Sequence, residues 1–178
     1  MVIWRRSRYS VSFGETGRQD CRDGPESAST RTRGKGRPVN LLPKTPTAKG
    51  AAEMFSGDVW IDVIARGEEP SRIRANFVRF NPGARTAWHS HAVGQTLYVT
   101  EGVGWVQSMG SDVVEVRAGD VIYTPPGEWH WHGAAPTYFM THIALSEAPA
   151  PGPSVVETEW GSHLDDGDYL TIAAVPRS

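Results

Sequence analysis

Cysteine is almost absent from this chain of 178 residues: Cys21 is the single one, so no disulfide can form within one chain. Core packing or a bound metal must therefore stabilise the fold, and a reducing compartment is expected. No segment approaches the roughly 18 apolar residues that cross a bilayer. The start, Met1–Arg6, has charge but no apolar segment after it, which argues against a signal peptide. We expect a cytoplasmic protein without a membrane partner.

Lysine does not occur after Lys49, and the balance of charge changes sign near this point. Residues 1–50 contain 11 of the 18 Lys and Arg but 4 of the 20 Asp and Glu, whereas residues 51–178 are acidic. The first 50 residues also contain 20 Gly, Pro, Ser or Thr, a composition that favours disorder. We predict a disordered basic N-terminal extension, 1–50, followed by one domain, 51–178.

The role of the extension is open between two interpretations. A basic arm would bind nucleic acid or an acidic partner, whereas an extension without function would result from a start codon assigned too far upstream. The extension lacks a clustered basic run and interleaved aromatic residues, which favours the second interpretation. We therefore expect no nucleic-acid partner.

Short apolar segments separated by turn residues follow from residue 51 onward. No window has the i, i+3, i+4, i+7 apolar repeat of an amphipathic helix over three turns, so an antiparallel sandwich or barrel is predicted. A turn is expected at Glu101–Gly102, and Val155–Ile172 is open between a strand and a short helix. The predicted strands are Val59–Ile64, Ile73–Phe80, Arg85–His91, Thr96–Thr100, Val103–Gln107, Val113–Arg117, Val121–Thr124 and Tyr138–Leu145.

Five of the six histidines lie between positions 89 and 142. His89 and His91 are two residues apart on a predicted strand, so their side chains share one face. The loop after them could return the amide of Gln95 to that face. His130 and His132 form a second pair with the same spacing.

Imidazole groups from different strands meet in the interior of a small closed barrel. Three of them suit a divalent transition metal such as Mn, Fe, Ni, Cu or Zn. An isolated His-x-His pair is more often an ordinary surface or core feature of a sheet than a metal site. Two such pairs, each beside Gly and Pro turns, favour a ligand role without deciding it.

Two segments resemble the motifs of the cupin family. Gly83–Gln95, GARTAWHSHAVGQ, is similar to the first cupin motif, G-x5-H-x-H-x(3,4)-E-x6-G. Gly119–His130, GDVIYTPPGEWH, is similar to the second, G-x5-P-x-G-x2-H-x3-N. The resemblance implies an all-β, single-domain cupin, a double-stranded β-helix or jelly-roll barrel, with His89, His91 and His130 as metal ligands.

This chain departs from the general motifs at two positions, where Gln95 replaces a glutamate and Ala134 replaces an asparagine. The glutamine at position 95 resembles a narrower group, the small bacterial cupins that include manganese-dependent hydroxynitrile lyases. His130–Thr137, HWHGAAPT, also resembles that group. Glutamine is a ligand there, so the resemblance implies a divalent transition metal, expected to be manganese with iron, nickel or zinc as alternatives. The implied ligands are His89, His91, Gln95 and His130.

The candidate catalytic residues are His132, which follows His130 at strand spacing, and His142, which lies on the predicted strand Tyr138–Leu145. An unperturbed imidazole titrates near pH 6.5, so either could act as a base around neutral pH. Their alternative role is to orient the ligands through hydrogen bonds. By resemblance to the lyases, the substrate hydroxyl would bind the metal, and a histidine would take its proton as the C–CN bond breaks.

Three functions remain open for a small-molecule substrate. The first is metal-dependent cleavage of cyanohydrins, in which the metal is a Lewis acid and a histidine the base. The second is a metal-dependent dioxygenase, and the third is a small-molecule-binding cupin without enzymatic activity. Because cupin relatives commonly pair through sheet edges and outer faces, we also expect a homodimer or homotetramer.

Overall fold

The computed structural model describes residues 39–152 and 155–172. The chain divides into two units, 1–41 and 42–178. Of the first unit, residues 39–41 are described; they are exposed and have no regular secondary structure. The described part of the second unit contains twelve strands and one helix. They are Ala48–Lys49 (β1), Phe55–Ser56 (β2), Val59–Arg66 (β3), Ile73–Phe80 (β4), Arg85–Thr86 (β5), His89–His91 (β6), Gln95–Ser108 (β7), Val114–Arg117 (β8), Val121–Thr124 (β9), His130–Ala134 (β10), Met140–Glu147 (β11), Thr158–Trp160 (β12) and Asp166–Thr171 (α1).

Two antiparallel sheets share the long strand β7. The first has the order β1-β3-β4-β11-β7-β9. The second has the order β2-β5-β10-β7-β8, while β6 pairs with β10 and β12 pairs with β6. The predicted all-β architecture is thus confirmed. Crossovers between non-consecutive strands place β6, β10 and β11, which carry the histidines, around one interior.

The turn predicted at Glu101–Gly102 is wrong, because β7 continues through it as a bent strand. The pairing of β7 with β11 shifts register between Thr141 and His142, as a β-bulge does. Gly102 has a φ of 78°, and a Cβ atom there would lie 1.9 Å from the carbonyl oxygen of Phe139. Glycine is therefore required at the bend that lets one strand serve both sheets.

The strand predicted over Arg85–His91 is two short strands, β5 and β6. At the break between them, the amide of Ala87 donates to Met54 O and that of Trp88 donates to Ser162 O. These bonds outside the sheet let β5 pair with β2 while β6 pairs with β12. The break thus determines which strand lies beside His89–His91.

The main hydrophobic core lies between the two sheets. Each sheet contributes apolar side chains that alternate with outward-facing ones, as the period of two predicts. Phe55, Ile61, Val106 and Ile122 pack around its edge. The buried members are Val59, Val78, Phe80, Ala84, Val99, Val116, Ala134 and Met140.

A second cluster lies under α1, on the other face of the second sheet, and includes Trp131 and Tyr169. The Tyr169 hydroxyl donates to the carbonyl oxygen of Ala134, and the Arg85 guanidinium lies 4.4 Å from the centre of its ring. Burial raises the pKa of Tyr169 to about 12, so it remains a donor at all ordinary pH values. The C-terminal segment thereby packs against the sheet that carries β6 and β10.

The segment left open at Val155–Ile172 contains both alternatives, a strand (β12) and a helix (α1). At the other end, β1 pairs with β3, so Ala48 and Lys49 form part of the sheet although the predicted extension includes them. Residues 1–38 lie outside the described residues, and the disorder of the extension stays a prediction. Among the residues that the structure describes, no helix combines the length and apolar character needed to cross a membrane.

Candidate metal centre

Antiparallel pairing brings the two His-x-His pairs together. His89 on β6 lies directly opposite His130 on β10, and the centres of their rings are 4.2 Å apart. His91 extends this group along β6, with its ring centre 5.1 Å from that of His89. His132 extends it along β10, 5.2 Å from His89. All four side chains are buried, and period-two alternation puts the two histidines of each strand on one face.

The ring orientations of His89 and His130 are fixed by backbone carbonyl groups of their own chain segments. His89 Nδ1 lies 3.0 Å from Ala87 O, and His130 Nδ1 lies 3.1 Å from Glu128 O. A carbonyl oxygen only accepts, so each Nδ1 must carry the proton and donate it. Each Nε2 atom therefore presents a lone pair to the interior.

The amide of Gln95 lies among the three predicted histidine ligands. Its Oε1 atom is 3.1 Å from His130 Nε2, and the amide also interacts with the rings of His89 and His91. Because His130 Nε2 already presents a lone pair, this contact joins two acceptors. Such an arrangement is unfavourable by itself and becomes favourable when a cation lies between the two atoms.

Burial keeps these imidazoles uncharged near neutral pH. Burial, followed by repulsion from His130, holds the pKa of His89 well below its usual range. The same causes lower the pKa of His91 to about 4, and burial lowers that of His130. A neutral imidazole is the form that binds a metal, so protons do not compete strongly for these nitrogens at pH 7.

The donor set fits a divalent transition metal in spacing as well as in chemistry. Ligand atoms lie roughly 2.0–2.2 Å from such ions, so neighbouring ligands of an octahedral ion are roughly 3 Å apart. The separation of 3.1 Å between Gln95 Oε1 and His130 Nε2 agrees with that spacing. His91 Nε2 is also buried, no hydrogen bond of ordinary geometry reaches it within the described residues, and a metal would use its lone pair.

A second combination of ligands overlaps with the predicted one. Among the described His, Cys, Asp and Glu residues, His89, His130 and His132 place one nitrogen each within 4.8 Å of one another. This buried group could hold a metal, as the sequence predicts for the region, but it includes His132 in place of His91. Gln95 favours the predicted set, because its amide interacts with His91 as well as with His89 and His130.

The candidate catalytic histidines lie deeper in the barrel. The ring centre of His142, on β11, is 5.0 Å from that of His132 and 5.4 Å from that of Phe80. Burial lowers the pKa of His142 to about 4 and that of His132 well below its usual range. Among the described residues, no hydrogen bond of ordinary geometry reaches either ring nitrogen of His142 or Nδ1 of His132.

A cleft of about 590 Å³ leads to the centre and is lined in part by His91 and Gln95. Its wall is mostly polar and includes Arg66, Arg74 and Asn76. His132 and His142 do not line this cleft; Ala144, the next inward-facing residue after His142 on β11, does. Substrate entering here would meet His91 and Gln95 before reaching the deeper histidines.

Two residues beside the centre are absent from the sequence predictions. Thr158 contacts His91, and Trp160 stacks on His89. Both belong to β12, in the segment that sequence patterns left open. No local signal links that acidic segment to β6, which lies 67 residues earlier at the Thr158–His91 contact.

Comparisons with known proteins agree with this fold. The profile described as Cupin domain matches residues 76–139. A protein named (R)-mandelonitrile lyase, from Granulicella tundricola, is 47% identical over 123 residues, which are 69% of this chain and 91% of that protein. The crystal structure of a cupin-like protein from Thermotoga maritima is 34% identical with a TM-score of 0.64, over 75% of this chain and 97% of that one. A cupin 2 conserved barrel domain protein from Rhodopseudomonas palustris shares the fold at 18% identity, with a TM-score of 0.51 over 62% of this chain and 76% of that one.

Replacing His130 tests the centre. We expect His130→Ala to yield a folded domain with far less than one equivalent of bound metal, because the substitution removes the Nε2 donor next to Gln95. The matched control is His163→Ala, since His163 is exposed and its ring contacts Ser56 instead. Elemental analysis after dialysis measures the difference. One metal per chain in His130→Ala would contradict the assignment.

Acid should destabilise the metal-free protein. The folded pKa of His142 is about 4 and an unfolded histidine titrates near 6.5, so the unfolded chain binds more protons between these values. Stability is therefore full above about pH 6.5 and is lost as the pH falls toward 4. Titration of His142 alone should lower the free energy of unfolding by about 2 kcal/mol between pH 7 and pH 5.

Chemical denaturation of metal-stripped protein at pH 7 and pH 5 measures this loss. His142→Phe keeps a ring of similar size beside Phe80 but cannot titrate. The variant should show a smaller difference in unfolding free energy between the two pH values. An unchanged difference would show that His142 is not the titrating group.

Proposed function

Because this chain belongs to the cupin family, we propose that it is a metal-dependent lyase of the hydroxynitrile lyase type, which cleaves cyanohydrins into hydrogen cyanide and a carbonyl compound. The observation that carries this proposal is the amide of Gln95 among three neutral imidazoles, those of His89, His91 and His130. A relative named (R)-mandelonitrile lyase, 47% identical over most of its length, supports the same reaction class.

We propose that four uncharged donors hold the metal, through three imidazole nitrogens and one amide oxygen. Since none of these groups carries a negative charge, a divalent ion bound to them would retain nearly all of its formal charge. When bound, the metal supplies a Lewis acid that increases the acidity of a coordinated hydroxyl group. Manganese is the proposed ion, and the ligands are His89, His91, Gln95 and His130.

His142 is the proposed base, with His132 beside it. With its pKa lowered to about 4, His142 is uncharged at neutral pH. Its ring nitrogens have no hydrogen bond of ordinary geometry within the described part of the chain, so accepting a proton would break none. His142 is a weak base by itself, and its burial favours transfer only from a hydroxyl that has been made acidic.

In the proposed reaction, a proton transfer accompanies the breaking of the C–CN bond. The substrate hydroxyl gives its proton to His142, the oxygen forms the carbonyl double bond, and the electron pair of the C–CN bond leaves with cyanide. The imidazolium then returns the proton to cyanide as hydrogen cyanide. Donors in the cleft wall that could hydrogen-bond the leaving anion are the Asn76 amide and the guanidinium groups of Arg66 and Arg74.

An assay with (R)-mandelonitrile tests the reaction. Protein loaded with Mn²⁺ should release benzaldehyde and hydrogen cyanide in equal amounts, without consuming oxygen. Treatment with a chelator should abolish release, and adding Mn²⁺ should restore it. If the loaded protein releases no benzaldehyde but consumes oxygen with a phenolic or diketone substrate, the dioxygenase alternative replaces this proposal.

The neutral amide ligand can be tested separately by Gln95→Glu. A carboxylate is the better ligand for a hard divalent ion, so metal affinity should rise. Turnover should fall by about tenfold, because the added negative charge cancels part of the charge that makes the substrate hydroxyl acidic. Gln107→Glu is the control, since Gln107 accepts a hydrogen bond from Trp131 away from the centre. If Gln95→Glu holds metal and cleaves as fast as the parent, the charge argument is wrong.

A further inference from the structure

We infer that strand β12 is part of the metal centre, in which Thr158 and Trp160 are positioning residues for His91 and His89. This inference rests on the proposed ligand set but not on the identity of the reaction. It concerns side chains from a segment that follows the cupin motifs by almost thirty residues in the sequence.

Strand register places these side chains beside the ligands. In the antiparallel pair β12–β6, Thr158 lies opposite His91 and Trp160 lies opposite His89. Directly opposite residues of an antiparallel pair share one face of the sheet. The two residues of β12 therefore lie on the same face of the sheet as the two histidines, while Glu159 between them faces the other way.

Thr158 provides the hydrogen-bond partner at Nδ1 of His91 that backbone carbonyl groups provide for His89 and His130. The Nδ1 atoms of His89 and His130 donate to carbonyl groups two residues earlier in the chain. Within the described residues, His91 has no such bond; its Nδ1 lies 3.2 Å from Oγ1 of Thr158. If the Thr158 hydroxyl accepts the Nδ1 proton, His91 Nε2 keeps its lone pair for the metal, as His89 and His130 do.

Trp160 restrains the ring of His89 by stacking. The two ring centres are 4.7 Å apart and the planes are 24° from parallel. The indole also contacts Phe55, at 6.0 Å between ring centres. This packing limits rotation of the imidazole plane, which the single Nδ1 bond to Ala87 leaves less constrained.

The backbone keeps β12 in place without these side chains. The amide of Ala92 donates to Glu157 O, at 3.1 Å, and that of Gly161 donates to Trp88 O, at 2.7 Å. Arg74 Nε also lies 3.2 Å from Glu157 Oε1. Removing one hydroxyl from Thr158 should therefore leave the strand in position, so that a variant reports on ligand orientation.

The experiment compares three variants for Mn²⁺ affinity, measured by competition with a chelator. Thr158→Val has the same shape but cannot accept the proton, and we expect its affinity to fall at least about tenfold. Thr158→Ser retains the hydroxyl and should bind within about threefold of the parent. Glu159→Gln, on the same strand but facing outward, should bind as the parent does.

Nitrogen NMR of the imidazole rings in metal-stripped protein is the second readout. His91 should carry its proton on Nδ1 in the parent and in Thr158→Ser, and should lose that preference in Thr158→Val. A Thr158→Val protein with the parent's affinity and tautomer would overturn the inference. Equal losses of affinity in Thr158→Val and Thr158→Ser would also overturn it, because they would show a packing role.

These results are independent of the outcome of the cyanohydrin assay. A parent protein that binds Mn²⁺ but does not cleave mandelonitrile would refute the proposed function and leave the positioning roles intact. If the parent binds no Mn²⁺, the tautomer of His91 decides the inference alone.

The role of Trp160 is tested by two substitutions. Trp160→Ala should weaken Mn²⁺ binding and Trp160→Phe should restore it, since phenylalanine retains a ring that can stack. Equal affinities in these two variants would remove Trp160 from the inference.

Discussion

The pairing of β6 with β10 is the constraint on which the rest of the site depends. It places His89 against His130, with ring centres 4.2 Å apart, and both rings are held by backbone carbonyl groups through Nδ1. Two lone pairs therefore face a common interior together with the amide oxygen of Gln95. The lone pairs and the amide oxygen repel one another. Burial prevents the imidazoles from relieving this repulsion by taking up protons at neutral pH. A cation bound between these atoms would satisfy all of the acceptors together.

The surrounding fold holds in place the three strands that carry the proposed ligands, β6, β7 and β10. The strand β7 begins at Gln95 and pairs with β10 along its second half. The bend at Gly102 allows one strand to make both contributions. The break between β5 and β6 frees His89–His91 to pair with β12. The cluster under α1 holds the C-terminal segment against the same sheet. The precise placement of the donors thus relies on irregular features as much as on regular strands.

Sequence patterns predicted the parts of this site that are local. Period-two spacing put His89 with His91 and His130 with His132 on shared faces, and the motif resemblance predicted the cupin fold, which the structure and the relatives confirm. The ligand set and the catalytic roles remain predictions, and the structure adds His132 as a competing ligand. The bend at Gly102 was missed because Glu–Gly is also a common turn signal, and positive φ alone does not distinguish a bulge from a turn. The contacts made by β12 were missed because they depend on long-range strand pairing, for which two alternating residues in an acidic segment carry no signal.

The most direct measurement of the central claim is anomalous diffraction at the manganese absorption edge from crystals of the Mn²⁺-loaded protein. The account predicts one strong peak at roughly 2.0–2.3 Å from the Nε2 atoms of three histidines and from Oε1 of Gln95. Those histidines are His89, His91 and His130. A peak bound by His132 in place of His91, with Gln95 turned away, would contradict the account, and so would loaded crystals that contain no ordered ion in the barrel.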